Sequence, residues 1–469
     1  MTGSDEQEGG ICAGCQGPGH LQCKNCLLVL PFGTVQKFLW GSVPALDVLK
    51  LKVNEGLAYE KELKLLFAAS GDLRNVVRII TALPAGYDKP LSITMNDRET
   101  TVVARNVILL LLCMTVSDTF EAVDCMLHLW YSATVKQAHL DILHTRVRGL
   151  LQDICDKIRS KKAGAVLGKT WHFGERTVRL VLTKEQWLSV LAHCDVPDGL
   201  SAHKAREIRC AITMAPSRRD FRERHFFAMP PQHRLSSYRF REDGNLIQFG
   251  QSTEPFDVPN STFFQISEWP MKDAADPLDG WSLSEVLKLQ GGAAKNDIYG
   301  KLHHYLANIS DAGYLGMEKT AYHLGRLLQH QTENPHATLI ALFLNIEEIV
   351  TVADQEQFME KELGLALKYS PFKAITKSPY DADLLKLKSA HALVRNYDLL
   401  FKRYMERLHF KDIVEVSGLA RKEPHMIVEK WPMRLKLRAG QPGAKEEFDL
   451  LLGSGQTGCE RYVDEWVRK

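Results

Sequence analysis

Neither sign of charge predominates in this chain. Lys and Arg number 59 against 57 Asp and Glu over 469 residues, a formal net charge of +2. That balance gives no sign of a broadly basic nucleic-acid face or an acidic tail. Long apolar runs are absent too. The longest, Val107–Met114, falls far short of the ~20 residues a membrane-crossing helix needs. The first ten residues, MTGSDEQEGG, are polar and acidic and carry no sign of a secretory leader or transit peptide. The expectation is a soluble protein of the cytoplasm, or of the nucleus, with no secretory context to favour disulfides. Also missing are a Gly-x-Ser-x-Gly elbow, a Walker loop, a His-Glu-x-x-His site, internal repeats and low-complexity blocks. Ser252 and Asp257 form no recognisable triad with nearby histidines.

Hydrophobic residues make up 45% of the chain, enough at this length to bury a core. Length alone suggests about three domains. The ten cysteines divide sharply. Cys113, Cys125, Cys155, Cys194, Cys210 and Cys459 are scattered singly, mostly in apolar segments, and read as small core hydrophobes. Cys12, Cys15, Cys23 and Cys26 cluster as C-x2-C-x7-C-x2-C. Two such knuckles offer four thiolates to one tetrahedral ion, and zinc is the usual choice for four sulfurs. Gly14, Gly17, Pro18 and Gly19 allow tight turns between ligands, and His20 could substitute for one of them. A module this small has no core, so metal binding would supply its folding energy. The alternative is four free thiols in a disordered tail.

Residues 31–44 are a Pro/Gly-marked connector. Leu63–Ala69 reads as a strand, and a helical period starts at Asp72. Leu91–Met95 alternates as a second strand, and Val102–Val116 is a helix apolar nearly all round. Strand, helix, strand, helix argues a parallel α/β layer. Two amphipathic helices follow, one carrying Phe120, Val123, Leu127 and Trp130, the other Leu143 to Ile158. Arg176–Leu182 reads as a strand leading into a helix around Trp187. Residues 215–282 are Pro-punctuated and read as irregular, but rich enough in aromatics to be an ordered wrap over the core. Residues 297–309 read as helical. Asn334–Leu344 reads as a turn and a buried strand, and Leu384–Leu408 as one long helix. The last 50 residues read as a strand at Met426–Val428, a turn at Gly440–Gly443 and a final helix.

The turn after the first strand, Ala69-Ser70-Gly71-Asp72, is where nucleotide-binding α/β folds cradle a cofactor, because Gly permits close backbone approach. An acidic residue after the next strand would hold ribose hydroxyls, and Asp97 stands there, 26 residues beyond Gly71. The turn is poor in glycine, since Ala69 and Leu73 occupy places where such loops carry more. The alternative is a structural strand–helix turn with Asp72 capping the helix. His303, His304 and His323 read as ordinary histidines rather than metal or acid–base groups. The stretch Lys204, Arg206, Arg209, Arg218, Arg219, Arg222 and Arg224 is diluted by Glu207, Asp220 and Glu223, and reads as a solvated face rather than an RNA track.

Trp40–Leu49, Leu66–Val76, and Asn96-Asp97 with Ala104–Leu109 resemble the domain of unknown function 4470, over about residues 40–140. Fungal proteins carry that domain behind a MYND zinc finger, and the N-terminal region of dynein axonemal assembly factor three carries a similar one. Leu167–Trp171, Arg241–Gly244, Asn308–Asp311 with Gly313–Gly316, and Asn334–His336 also look like the fungal members. The cysteine cluster resembles the first half of a MYND finger whose second half is missing. A buried strand that those relatives place before the Asn-Ile-Ser-Asp motif is missing as well, and a skipped exon would account for the missing finger half. The resemblance implies a methyltransferase-like, Rossmann-type α/β sheet. S-adenosylmethionine is the ligand it implies at Ser70, Gly71, Asp72 and Asp97, if any binds there.

The resulting expectation is an α/β chain with helical additions behind a zinc knuckle. Residues 1–11 are a disordered tail, 12–30 the partial MYND-like knuckle and 40–140 the first half of the sheet. Residues 141–300 are a helical and irregular wrap, and 301–469 the second part of the α/β domain with C-terminal helices. Two functions are consistent with this. One is a protein that works by binding protein partners, as an interaction or assembly factor. The other is an S-adenosylmethionine-dependent methyltransferase, which would act mainly by positioning the methyl sulfonium. Neither reading expects nucleic acid or a membrane as partner, and neither names a general base.

Overall fold

The computed structural model describes residues 37–84, 87–228, 231–247, 251–265, 269–288, 301–303, 305–306, 321–324, 338–343, 352–370, 390–407, 411, 419–424, 427–453 and 461–468. The first four elements follow the expected order. Strand β1 (Leu63–Ala68) leads to helix α1 (Arg74–Ala82), strand β2 (Leu91–Asn96) and helix α2 (Thr100–Thr115). β1 and β2 pair in parallel, from Leu63 against Leu91 to Ala68 against Asn96. Helix α2 is buried from Thr101 to Met114 apart from Val103, as its all-round apolar sequence requires. Helix α3 (Thr119–Tyr131) is capped by Asp118, whose carboxylate accepts the Glu121 N–H at 2.9 Å. Its Val123, Leu127 and Trp130 are buried, but Phe120 is 84% exposed, because it lies on the solvent side of the first turn.

After the two-residue strand β3 (Thr134–Val135), helix α4 (Gln137–Ile142) runs through a π-helical turn at Leu143–Arg148 into helix α5 (Gly149–Ile158). A hairpin follows, β4 (Val166–Phe173) against β5 (Arg176–Thr183), turning at Gly174 with φ +65°. Thr183 and Gln186 then form a capping box that starts helix α6 (Lys184–Ala192).

The stretch 215–282 is less irregular than its prolines suggest. It holds helices α8 (Arg219–Ala228) and α9 (Pro231–Asp243), after helix α7 (Ala202–Thr213). Pro231 opens α9, where the missing N–H costs nothing. The wrap itself is as expected. Strand β6 (Val258–Pro259) pairs with β3, and Phe256, Phe263, Phe264, Trp269 and Trp281 are buried against the core. Arg209 is also buried there rather than solvated. Its guanidinium donates to the carbonyls of Phe240 and Arg241 at 2.8 and 2.7 Å and stacks near the Phe240 and Trp269 rings.

The main sheet is completed from a distance in the chain. Strand β7 (Ala321–Leu324) inserts between β2 and β5, parallel to both, giving the order β1-β2-β7-β5-β4. The helices cover one face of it. Leu63, Leu91, Ile93, Met95, Val178, Leu180 and Leu182 point into that core, while Lys64, Leu66, Ala68 and Asn96 on the other face are exposed. Among the described residues that face is therefore bare at β1 and the end of β2 and half-buried toward β5, and the architecture is mixed α/β with small sheets.

A second core lies in the C-terminal part. Strand β8 (Thr338–Phe343) does not join the main sheet. It pairs antiparallel with β10 (Tyr462–Arg468), which also carries β9 (Leu419–Arg421). Among the described residues β8 is an edge strand with Leu339 and Leu342 exposed, not the buried strand its composition suggests. The expected helix Leu384–Leu408 is broken at Arg395-Asn396, and its second part is Tyr397–Arg407. The Arg395 guanidinium turns inward to a buried ion pair with Glu362 at 2.8 Å. Ile427 and Val428 are not a strand, since their N–H groups donate to the Glu465 carboxylate at 2.8 and 2.7 Å. A helix (Ala444–Gly453) does form near the end, but the last described element is the strand β10. Glu465 and Asp464, adjacent and both fully buried, show that both faces of that strand are covered.

Candidate functional site

The turn at Ser70-Gly71 lies at the carboxyl ends of β1 and β2. Ala69 and Gly71 both adopt left-handed backbone, with φ +56° and +59°. For Ala69 that conformation costs about 1 kcal/mol. It is held by the Ser70 N–H, which donates to the Asn96 carbonyl at 2.8 Å. Gly71 is tied more closely still. Its N–H donates to Asp97 Oδ2 at 2.9 Å, and its carbonyl accepts from the Asn106 amide at 2.7 Å. Asp97 Oδ1 accepts the Glu99 N–H at 2.9 Å. So Gly71 and Asp97, 26 residues apart, do come together, but as each other's partners.

Asp72 does not cap helix α1. The N-cap is Leu73, with no side-chain hydrogen bond. Asp72 instead points inward and is 5% exposed. Its carboxylate accepts from Arg74 Nε at 2.7 and 2.9 Å and from Trp130 Nε1 at 3.2 Å. The rest of the Arg74 guanidinium reaches the carbonyls of Val43 and Gly280. It fits a slot between two glycines: a Cβ on Gly41 would stand 1.8 Å from its Nη2, and one on Gly280 2.7 Å from its Nη1. Next to this pair, Arg105 bonds to Thr262 Oγ1 and the Trp130 carbonyl and lies 4.2 Å over the Phe263 ring. Burial lowers its pKa to about 9, partly offset by Asp72, so it is still charged at neutral pH.

Residues 39–135 match the family model described as "Domain of unknown function (DUF4470)". The DUF4470 match spans β1, α1, β2, α2, α3 and β3, and includes the Gly71 turn, Asp72 and Asp97. No curated protein and no solved structure matches the chain. Cys12, Cys15, Cys23 and Cys26 lie outside the described residues, as does Cys459. Cys113, Cys125, Cys155 and Cys194 are buried, and Cys210 is half-buried. Among the described residues no helix is long and apolar enough to cross a membrane.

A second cluster sits on the other side of α3, and sequence reasoning assigned a site role to none of its members, reading His303 as an ordinary histidine. Asp124 and His128, one helical turn apart on α3, face His139 of α4 and His303. Asp124 Oδ1 is 3.4 Å from His128 Nε2, and Oδ2 is 2.9 Å from both His139 Nε2 and Lys136 Nζ. The imidazoles of His128 and His139 stack at 5.1 Å, and the Phe256 ring meets His128 edge-on at 4.7 Å. Burial opposes ionisation of Asp124, but the hydrogen bonds from His128 and His139 outweigh it and hold the carboxyl well below its usual range. Burial pulls His128 down to about 4, with Asp124 acting against it. The i, i+4 spacing of Asp124 and His128 was legible in the sequence. What brings His139 and His303 to them was not.

Proposed function

We propose that this chain is a methyltransferase-like α/β protein that works by binding protein partners, as an interaction or assembly factor, rather than by methyl transfer. One observation carries this reading. The Gly71 N–H, the donor that a cofactor would meet at this turn, is already engaged by Asp97, and both Asp97 oxygens accept bonds from within the chain. The residue that would hold ribose instead closes the loop. Asp72, the other carboxylate at the turn, is spent on Arg74. The sheet order points the same way. β1 is an edge strand among the described residues, so no described strand on its far side makes the switch-point crevice in which open α/β sheets bind their ligands.

The resemblance to fungal MYND-finger proteins and to the dynein assembly factor supports a role in assembly. The four thiolates of Cys12, Cys15, Cys23 and Cys26 are a donor set suited to one zinc ion, which would order the N-terminal knuckle. A second reading, an S-adenosylmethionine-dependent methyltransferase, is favoured by the parallel β1–β2 pair with Gly71 and Asp97 at its carboxyl end. Calorimetric titration with S-adenosylmethionine separates the two. No heat of binding at millimolar ligand is expected. Micromolar binding that Asp97→Ala abolishes would overturn the scaffold reading in favour of the enzyme.

A further inference from the structure

We infer that Asp124, His128 and His303 bind a divalent transition-metal ion of the zinc type, at a site separate from the N-terminal cysteines. One donor atom from each, a carboxylate oxygen and two imidazole nitrogens, lies within 4.8 Å of the other two. An ion about 2.0–2.1 Å from each donor needs them about 3.3 Å apart in a tetrahedral arrangement. Asp124 Oδ1 and His128 Nε2 already stand at 3.4 Å. His303 has to close by about 1.5 Å at most, a side-chain adjustment.

The groups around these donors are arranged as supports for ligands. His128 Nδ1 is 2.9 Å from the Ser132 hydroxyl, which leaves Nε2 to face Asp124 and His303. Ser132 Oγ is itself fixed by the Leu246 N–H at 3.0 Å. His139 Nδ1 accepts the Lys136 N–H, so its Nε2–H donates to Asp124 Oδ2. With Oδ2 held by His139 and by Lys136 Nζ, Oδ1 is the oxygen turned toward His128. Hydrogen bonds to the far side of each ligand are what orient imidazoles and carboxylates around an ion. Two imidazoles and one carboxylate suit zinc and its neighbours rather than magnesium or calcium, which take oxygen. One feature opposes the ion. The Lys136 ammonium lies beside Asp124 and repels a second cation, and this makes the site testable by more than loss of a ligand.

The test uses the full chain, stripped of metal by a chelator and titrated with cobalt(II) and zinc(II). Expected is a cobalt population without thiolate charge-transfer absorption, one equivalent per chain, displaced by zinc. His303→Ala should remove that population while Cys12→Ser with Cys15→Ser leaves it intact. Ser132→Ala should weaken it by about 10–100-fold. Lys136→Met should tighten it severalfold, because a like charge is gone while His139 still holds Asp124. A wild-type chain with no such population, or one that His303→Ala leaves unchanged, overturns the proposal. Unchanged or weaker binding in Lys136→Met overturns it as well. The cysteine-held population is read separately through its charge-transfer band, so failure here is distinct from failure of the zinc knuckle.

Discussion

Asp72 provides the sharpest test of how the turn is built. It is a carboxylate at the mouth of a cofactor-type loop, yet its partners are all internal. The Asp72 and Arg74 side chains are 5% and 8% exposed and meet at 2.7 Å. Breaking such a buried pair by removing one partner leaves an uncompensated charge and costs about 3–5 kcal/mol. Asp72→Ala is expected to lose that much and to strip Trp130 Nε1 of its acceptor. Asp72→Asn keeps an acceptor for Arg74 Nε and so recovers about 1 kcal/mol. The double variant Asp72→Ala/Arg74→Ala should lose at least ~2 kcal/mol less than the sum of the two single changes, because no buried charge then remains. Urea unfolding followed by tryptophan fluorescence is a suitable assay, since Trp130 touches Asp72 and stacks on Tyr131 at 5.2 Å. If Asp72→Asn unfolded within about 0.5 kcal/mol of wild type, the ion pair would not be holding this turn, and a ligand-facing role for Asp72 would regain its place.

The two glycine environments predict different losses from different causes. Gly41→Ala should cost about 2–4 kcal/mol by pushing the Arg74 guanidinium off Asp72, and pairing it with Arg74→Ala should relieve most of that loss. Gly71→Ala meets nothing within 4 Å and should cost only about 1–2 kcal/mol, from its φ of +59°. A pH dependence follows from His193, which donates from Nδ1 to the Ser189 carbonyl at 2.6 Å and whose burial lowers its pKa from 6.5 to about 4. Its unfolded form takes up a proton first as pH falls, so stability is full above about 6.5 and drains away down to about 4, by roughly 3 kcal/mol. Wild type should therefore lose about 2–3 kcal/mol more than His193→Gln between pH 7 and 4.5 in urea unfolding, and equal losses would refute it. In the His303→Ala variant, where the core site is removed, chelation should release one zinc held by Cys12, Cys15, Cys23 and Cys26 and leave the urea midpoint of the main core unchanged. Purified protein without stoichiometric zinc would contradict the knuckle.

The buried polar groups explain why the wrap is so aromatic. Asp72, Arg74, Arg105 and Arg209 all carry charge inside the main core, and each is enclosed by indole or phenyl rings or by main-chain carbonyls. Asn260 serves the same end, its amide donating to three carbonyls at the end of α3, from His128, Leu129 and Ser132. Segments far apart in the chain are thereby locked to α3, the helix that also presents Asp124 and His128. Rigid placement of that helix is what a preorganised ligand set requires.

Local pattern was enough for the order β1, α1, β2, α2, for the parallel pairing of the two strands and for the burial of α2. Each rests on a period of 2 or 3.6 residues, which the chain states residue by residue. It was also enough to put Gly71 beside Asp97, because two adjacent parallel strands end side by side. Local pattern could not say which way a side chain at the turn would point. Asp72 faces Arg74 and Trp130 because Gly41, Val43 and Gly280 build a slot for the guanidinium from segments over 200 residues apart. The four-residue strand β7 has no pattern of its own to announce it, and β8 was misjudged as buried, because short runs do not name their partners. The cluster around Asp124 shows the division most plainly. The four-residue spacing of Asp124 and His128 puts them on one helical face. That His139, Lys136 and His303 meet them there follows from long-range packing, which sets which faces come together.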